Sequence, residues 1–117
     1  MDFYCDSVLS GGVPVHVVAE TPRVLAFEHT NPTWQIHIVV IPKQHVRQLI
    51  EVQDASLFSE LFQVMASIIK ERGFADTNYK IITNGGSYQS IQHLHFHLVS
   101  GVPLDRVNPA QAGEFLV

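Results

Sequence analysis

The chain has 117 residues, of which 46% are hydrophobic and 15% charged, with a formal net charge of -4. This length predicts a single domain over residues 1–117 with one core. The seven Lys and Arg residues are scattered, which excludes a general nucleic-acid or anionic-membrane binder. Cys5 is the only cysteine, and no N-terminal signal pattern or apolar run of about 18 residues occurs, so we expect a cytoplasmic protein.

Strand-favouring runs fill the first part of the chain. Residues 15–19 and 24–28 flank a short turn and predict a β-hairpin. Residues 36–41 are strongly β-branched and stop at Pro42, so they predict a central strand buried on both faces. His37 is the only polar residue within this strand.

One long amphipathic helix follows. Asp54 is a good N-cap and Gly73 a good C-cap, and apolar residues recur between them at helical spacing. Residues 80–83 then predict a strand, and a polar loop leads to a last strand over residues 93–99. The order β-β-β-α-β-β is typical of the α+β class, with an antiparallel sheet and the helix packed on one face.

The last strand carries three histidines at alternate positions. His93, His95 and His97 are separated by apolar residues. Because side chains on a strand alternate faces, the three imidazoles should share one face and the apolar residues the other. Imidazole can act as a nucleophile, a general base, a general acid or a metal ligand, so the neighbouring groups decide the chemistry.

The loop before this strand supplies further polar groups. It contains the Ser90 hydroxyl, the carboxamides of Asn84 and Gln89, and the backbone N–H groups of Gly85 and Gly86. Such groups bind an oxyanion or a phosphate.

Two kinds of chemistry fit the three histidines. His95, flanked by two imidazoles, suits nucleophilic attack on phosphorus. A zinc site would instead use two or three of the imidazoles as neutral ligands. No Asp or Glu lies between Asp76 and Asp105, which weakens the metal alternative but leaves it open.

These motifs resemble the histidine triad (HIT) family of nucleotide-binding proteins. Residues 93–99 match its His-φ-His-φ-His-φ-φ signature, and residues 24–27, 31–32 and 37–46 are similar to its second and third strands and their exit. The similarity runs from about residue 3 to 101 and is greatest to the adenosine phosphoramidate hydrolases. It implies a HIT-like fold of about five antiparallel strands, with one long helix and a short helix packed on one face.

The resemblance also implies an activity. It implies cleavage of a phosphoramidate or related bond at the α-phosphate of a purine nucleoside monophosphate derivative, of AMP or GMP, through a covalent nucleotidyl-His95 intermediate. It further implies a homodimer, with no metal or other cofactor. The implied catalytic residues are His95, His93, His97, His37, His45 and Ser90, with His37 and His45 relaying a proton, and the implied substrate-binding residues are Asn84, Gln89, His29 and Gly86. A nucleotide-binding module without relevant turnover and a zinc-dependent hydrolase stay open as alternatives.

Two of the chain's departures from the family pattern concern its binding sites. His29 stands where the family usually has an Asp that grips the ribose hydroxyls. Three alternatives stay open: Glu28 shifts to make that contact, the nucleoside is held differently, or the substrate is not a ribonucleotide. Some bacterial members bind structural zinc through Cys-x-x-Cys and two histidines. Here Asp2 replaces one cysteine, so we expect no intact zinc site and a small buried Cys5.

Overall fold

A computed structural model describes residues 2–104 of the chain, so residue 1 and residues 105–117 of the expected domain lie outside it. The fold agrees with the predicted α+β class and the predicted order of elements. A short helical segment at Tyr4–Val8 and single helical turns in the loops accompany the main elements. The main elements are strands β1 (Val17–Glu20), β2 (Val24–Glu28), β3 (Trp34–Pro42), β4 (Lys80–Thr83) and β5 (Phe96–Pro103), and helix α1 (Ala55–Glu71).

The five strands form one antiparallel sheet in the order β1-β2-β3-β5-β4. Strand β3 lies in the middle and is buried from His37 to Pro42, as its β-branched sequence predicts. Val39 of β3 pairs with His97 of β5. Because alternate residues of β3 share a face, His37 lies on the same face as His97 and diagonally beside it.

The sheet separates two hydrophobic clusters. Helix α1 packs on one face, against side chains that include Leu94, Phe96 and Leu98. The Tyr4–Val8 segment packs on the opposite face, and its cluster consists of Tyr4, Val8, Leu25, Phe27, Val39 and Ile41. The histidines project from this second face, as the alternation along residues 93–99 predicts.

Helix α1 begins and ends where its capping residues predict. The Asp54 carboxylate accepts a hydrogen bond from the Ser56 N–H at 2.9 Å, and Gly73 adopts a left-handed φ of 71° after the last turn. Glu60 links the helix to the turn between β1 and β2, because it accepts hydrogen bonds from both the backbone N–H and the guanidinium of Arg23. Within residues 2–104, no helix is long and apolar enough to cross a membrane.

Strand β5 begins at Phe96, so the prediction that it starts at His93 was wrong by three residues. In antiparallel register with β3, residue 94 would lie opposite Pro42, which has no N–H to offer the ladder. The Leu94 N–H instead donates to the Val46 carbonyl at 2.6 Å. The first two histidines of the triad therefore lie in an extended segment that leads into the strand.

Candidate active site

The three histidines of the triad are packed together on the face opposite α1. The exposed fractions of His93, His95 and His97 are 0%, 1% and 0%. The ring centroids of His95 and His97 are 5.0 Å apart. Tyr4 lies edge-on to His93 at 5.7 Å and to His95 at 5.2 Å. The site is therefore a buried row of imidazoles that the N-terminal segment covers in part.

The backbone fixes the tautomer of His95. Its Nδ1 lies 2.6 Å from the carbonyl oxygen of His93. A carbonyl oxygen only accepts, so Nδ1 carries the proton and Nε2 keeps the lone pair of the neutral ring. Nε2 is thus the nitrogen that can attack an electrophile or accept a proton.

A second pair of imidazoles forms an oriented hydrogen-bond chain. The Thr33 N–H donates to His37 Nδ1 at 3.1 Å, which places the His37 proton on Nε2. His37 Nε2 lies 2.8 Å from His97 Nδ1 and donates to it. The proton of neutral His97 is then on Nε2, a buried atom without a hydrogen-bond partner among the described residues. The chain therefore ends in an N–H donor beside His95, suited to an incoming acceptor such as a phosphate oxygen.

His29 joins this chain from the turn after β2. Its ring stacks on His37 with 4.3 Å between centroids and an interplanar angle of 30°, and its centroid is 5.8 Å from that of His97. The Asn31 N–H donates to His29 Nδ1 at 2.9 Å, so the proton of neutral His29 is on Nε2. A surface cavity lined in part by His29, His37 and Arg72 opens beside these rings. His29 thus offers a donor where a carboxylate would offer acceptors.

Burial keeps His97 neutral. Desolvation, and then the neighbouring His95, His37 and His29, lower the pKa of His97 to about 2. The pKa of His97 is lower in the folded state than its value of about 6.5 in the unfolded state. Between these two pH values, the unfolded chain binds a proton at His97 and the folded protein does not. This contribution to stability is complete above the unfolded pKa and is lost as the pH falls from there toward about 2.

We therefore expect acid to weaken the fold through His97. From about pH 7.5 to about pH 5.5, this one group should lower the free energy of unfolding by about 1.4 kcal/mol. In His97→Asn the amide oxygen can still accept from His37, but the titrating group is gone. Urea unfolding of both proteins at both pH values measures the difference. Equal acid sensitivity in the two proteins would show that His97 does not carry the effect.

Two of the loop residues predicted to meet the substrate contact residues 47 and 48 instead. Gln89 is buried and its amide donates to the Arg47 carbonyl at 2.6 Å. Gly86, at a φ of 61°, donates its N–H to the Gln48 side chain at 3.3 Å. Ser90 is exposed and Asn84 is half-buried. The structure thus brings His29 and His37 to the triad, whereas Gln89 and Gly86 make other contacts in this conformation.

His45 lies in a separate cluster on the other side of His93. Its Nδ1 is 2.7 Å from Asp2 Oδ2 and 3.7 Å from Cys5 Sγ, and its ring centroid is 5.3 Å from that of His93. Cys5 is half-buried, and its sulfur is 3.4 Å from His93 Nδ1. The expectation of a small buried Cys5 was therefore wrong, because the side chain is half-buried. Burial raises the pKa of Asp2, but the hydrogen bond from the Cys5 N–H and the proximity of His93 outweigh it, so the net pKa is lowered.

Two groups of described residues have possible metal-ligand atoms within 4.8 Å of one another. The first group is Asp2, Cys5, His45 and His93, and the second is His29, His37 and His97. In the second group, His29 and His37 accept backbone N–H groups at Nδ1 and so carry protons on Nε2. A nitrogen that carries a proton is a donor and not a metal ligand. The second group therefore fits a hydrogen-bond chain, and only the first offers lone pairs to a cation.

Comparisons with known proteins agree with this geometry. The HIT domain model matches residues 10–104. An uncharacterized HIT-like protein of Helicobacter pylori is 30% identical, over 82% of this chain and 93% of its own length. The adenosine 5'-monophosphoramidase hnt1 of Schizosaccharomyces pombe is 32% identical, over 79% of this chain and 68% of its own. The solved structure of a histidine triad protein from Clostridium difficile is 36% identical, with a TM-score of 0.77 over 91% of this chain and 95% of that one. The chain belongs to the HIT domain family.

Proposed function

We propose that the protein is a nucleotidyl hydrolase that cleaves the P–N bond of a purine nucleoside phosphoramidate through His95. The observation that carries the proposal is the tautomer of His95, whose Nδ1–H is held by the His93 carbonyl so that Nε2 keeps its lone pair. His97 adds an N–H donor beside it. The similarity to an adenosine 5'-monophosphoramidase supports the choice of substrate.

The reaction has two displacements. In the first, His95 Nε2 forms a bond to the α-phosphorus while the bond from phosphorus to the amine breaks, and the leaving nitrogen takes up one proton. In the second, water replaces the imidazole, releases one proton and yields the nucleoside monophosphate. The His95 ring gains positive charge in the first step, and the His93 carbonyl 2.6 Å from Nδ1 stabilises that charge.

The other proposed roles follow from the hydrogen-bond chain. His97 Nε2–H donates to a phosphate oxygen, and His37 keeps that proton in place because it donates to His97 Nδ1. His45 lies outside the hydrogen-bond chain from His37 to His97. Its proposed role is to position His93, beside which its ring lies. Asn84, Gln89, Gly86 and Ser90 would contact the phosphate or leaving group after the loop exchanges its present contacts. Because His95 is only 1% exposed, substrate entry requires residues that cover the site to move.

A turnover assay tests this proposal. The full chain is incubated with adenosine 5'-phosphoramidate, and release of AMP is measured before and after treatment with a chelator, with circular dichroism to confirm the fold. We expect turnover in both samples. Tight AMP binding without turnover would favour a binding module, and loss of turnover in a chelated, folded protein would favour a zinc-dependent hydrolase.

We expect His29 to determine the preference between ribose and 2'-deoxyribose substrates. Its Nε2–H is a single donor, whereas a carboxylate accepts from both ribose hydroxyls. We expect the kcat/KM values of the natural protein for ribose and 2'-deoxyribose substrates to differ by less than about twofold. His29→Asp should favour the ribose substrate by about tenfold, the value of one hydrogen bond to a charged group. An unchanged ratio in His29→Asp would place the sugar elsewhere.

We also propose a homodimer. Strand β4 lies at an edge of the sheet, where Ile81 and Tyr79 have exposed fractions of 38% and 47%. An open edge with exposed apolar side chains is a surface on which a second copy can pack. Analytical ultracentrifugation measures the mass in solution, and a monomer at micromolar concentration would contradict this part of the proposal.

A further inference from the structure

A cavity of about 220 Å³ lies along the edge of β3, at the point where β2 has ended. Glu28, the last residue of β2, pairs with Ile38, so β2 does not cover the part of β3 that precedes Ile38. Side chains from both faces of the sheet reach this edge, because alternate residues of β3 point in opposite directions. His37 lines the cavity from the triad face and Ile36 from the face of α1. The cavity therefore connects the row of imidazoles with the end of α1.

Two residues that line the cavity supply hydrogen-bond donors. His29 presents Nε2–H, because its Nδ1 accepts the Asn31 N–H at 2.9 Å. Arg72, the residue after α1, carries a permanent positive charge and several N–H donors. Within residues 2–104, no carboxylate forms an ion pair with Arg72. The charge of Arg72 is therefore not neutralised by another described side chain.

Glu28 also lines the cavity, but His16 and the solvent reduce its effect on a bound anion. Its Oε2 lies 2.6 Å from His16 Nδ1, and the side chains of Glu28 and His16 are 49% and 73% exposed. Water and salt screen charges that are this exposed. The cavity therefore favours an anion that both His29 and Arg72 can contact.

The cavity lies next to the place where the sugar of a bound nucleotide is expected. The ring centroids of His95 and His97 are 5.0 Å apart, and those of His97 and His29 are 5.8 Å apart. In the proposed function the α-phosphate lies against His95 and His97, so the attached ribose falls within one ring of His29. The side of the ribose that bears O2' and O3' can then reach the cavity beyond His29.

A phosphate group fits these donors better than a sugar hydroxyl does. It carries a charge of about -1.5 to -2 near neutral pH and three acceptor oxygens. A guanidinium group binds phosphate through paired hydrogen bonds. One water molecule requires about 15 Å³ of cavity volume, so about 220 Å³ leaves room for a phosphate. The carboxylate of an Asp in place of His29 would repel the same group.

We propose that the preferred substrates carry a second phosphate on O2' or O3' of the ribose, and that His29 and Arg72 bind this phosphate. The inference rests on the proposed function, because it places the α-phosphate at His95. The second phosphate stays attached throughout, so the two displacements at the α-phosphorus are unchanged. His29 thus selects a phosphate at the position where an aspartate would select hydroxyls.

Isothermal titration calorimetry of the full chain with four nucleotides tests this inference without turnover. The ligands are AMP, ADP, adenosine 2',5'-bisphosphate and adenosine 3',5'-bisphosphate. We expect at least one bisphosphate to bind about tenfold more tightly than AMP, the value of one hydrogen bond to a charged group. The isomer that binds more tightly identifies the oxygen that carries the phosphate.

Three variants assign the contacts. Arg72→Gln should weaken binding of that bisphosphate by about tenfold and leave AMP and ADP within about twofold, because the extra phosphate of ADP lies on the 5' side. Lys70→Gln is the matched control, since Lys70 is an exposed cation of α1 that does not line the cavity, and its removal changes the net charge equally. His29→Asp should reverse the preference, so that AMP binds more tightly than either bisphosphate.

Two results would overturn the inference alone: AMP binding with no gain for either bisphosphate, or a gain that Lys70→Gln removes as fully as Arg72→Gln does. Circular dichroism shows whether each variant has folded. No binding of any of the four nucleotides by the folded protein would overturn the inference together with the proposed function. A bisphosphate gain that depends on Arg72, in a protein without turnover of adenosine 5'-phosphoramidate, would support the inference and count against the proposed hydrolase.

Discussion

His95→Gly is expected to lower the turnover of adenosine 5'-phosphoramidate by about a thousandfold or more. The substitution removes the nitrogen proposed to bond to phosphorus, and the His97 donor that remains can only polarise the phosphate. Steady-state release of AMP measures the loss. Binding of AMP should weaken far less than turnover, because the phosphate donors stay in place.

Two controls test whether the loss of turnover in His95→Gly is due to the missing imidazole. Free imidazole should restore part of the His95→Gly activity, because it fits the vacated space and supplies the same nucleophile. His16→Ala is the control, since His16 is exposed and pairs with Glu28, away from the triad. A His95→Gly protein that keeps most of its turnover would contradict the proposed mechanism.

Leu61→Ala is expected to lower the free energy of unfolding by about 3 kcal/mol. Leu61 lies on the inner face of α1, is 0% exposed, and belongs to the cluster that supports the triad segment from below. Truncation removes buried methyl groups and leaves a cavity that the sheet is too rigid to close. Urea unfolding measures the change.

Phe62→Ala is the matched control on the same helix. Phe62 is larger, but it is 48% exposed, so its truncation should cost about 1 kcal/mol or less although it touches Phe96. A larger loss for Phe62 than for Leu61 would mean that α1 packs on the sheet through a different face.

The fold was predictable because its strongest signals are local. The β-branched run before Pro42 and the alternation around His97 each depend on a few neighbouring residues, and β2 and β4 have the predicted bounds. The start of β5 was not predictable from local sequence. It depends on Pro42, whose missing N–H ends the hydrogen-bond ladder between β3 and β5. That effect requires knowledge of which strand is the partner and in which register.

The candidate site was predictable in part for the same reason. The spacing of the three triad histidines identifies them as candidate site residues. The resemblance to the HIT family added His29 and His37 to the candidate site. The packing of Tyr4 against His95 left no signal in the sequence. Asp2 and Cys5 did leave one, a spacing of three residues, but contacts with His93 across about 90 residues of chain were needed to give it meaning.

The covalent intermediate is the central claim, and rapid quenching in alkaline denaturant, which preserves the bond between phosphorus and imidazole nitrogen, followed by mass spectrometry of the intact protein tests it most directly. Within the first turnover of adenosine 5'-phosphoramidate, the protein should gain the mass of one adenylyl group, on His95, before AMP reaches its steady rate. Formation of AMP by the full chain with no protein adduct at any time, or an adduct on another residue, would contradict the mechanism.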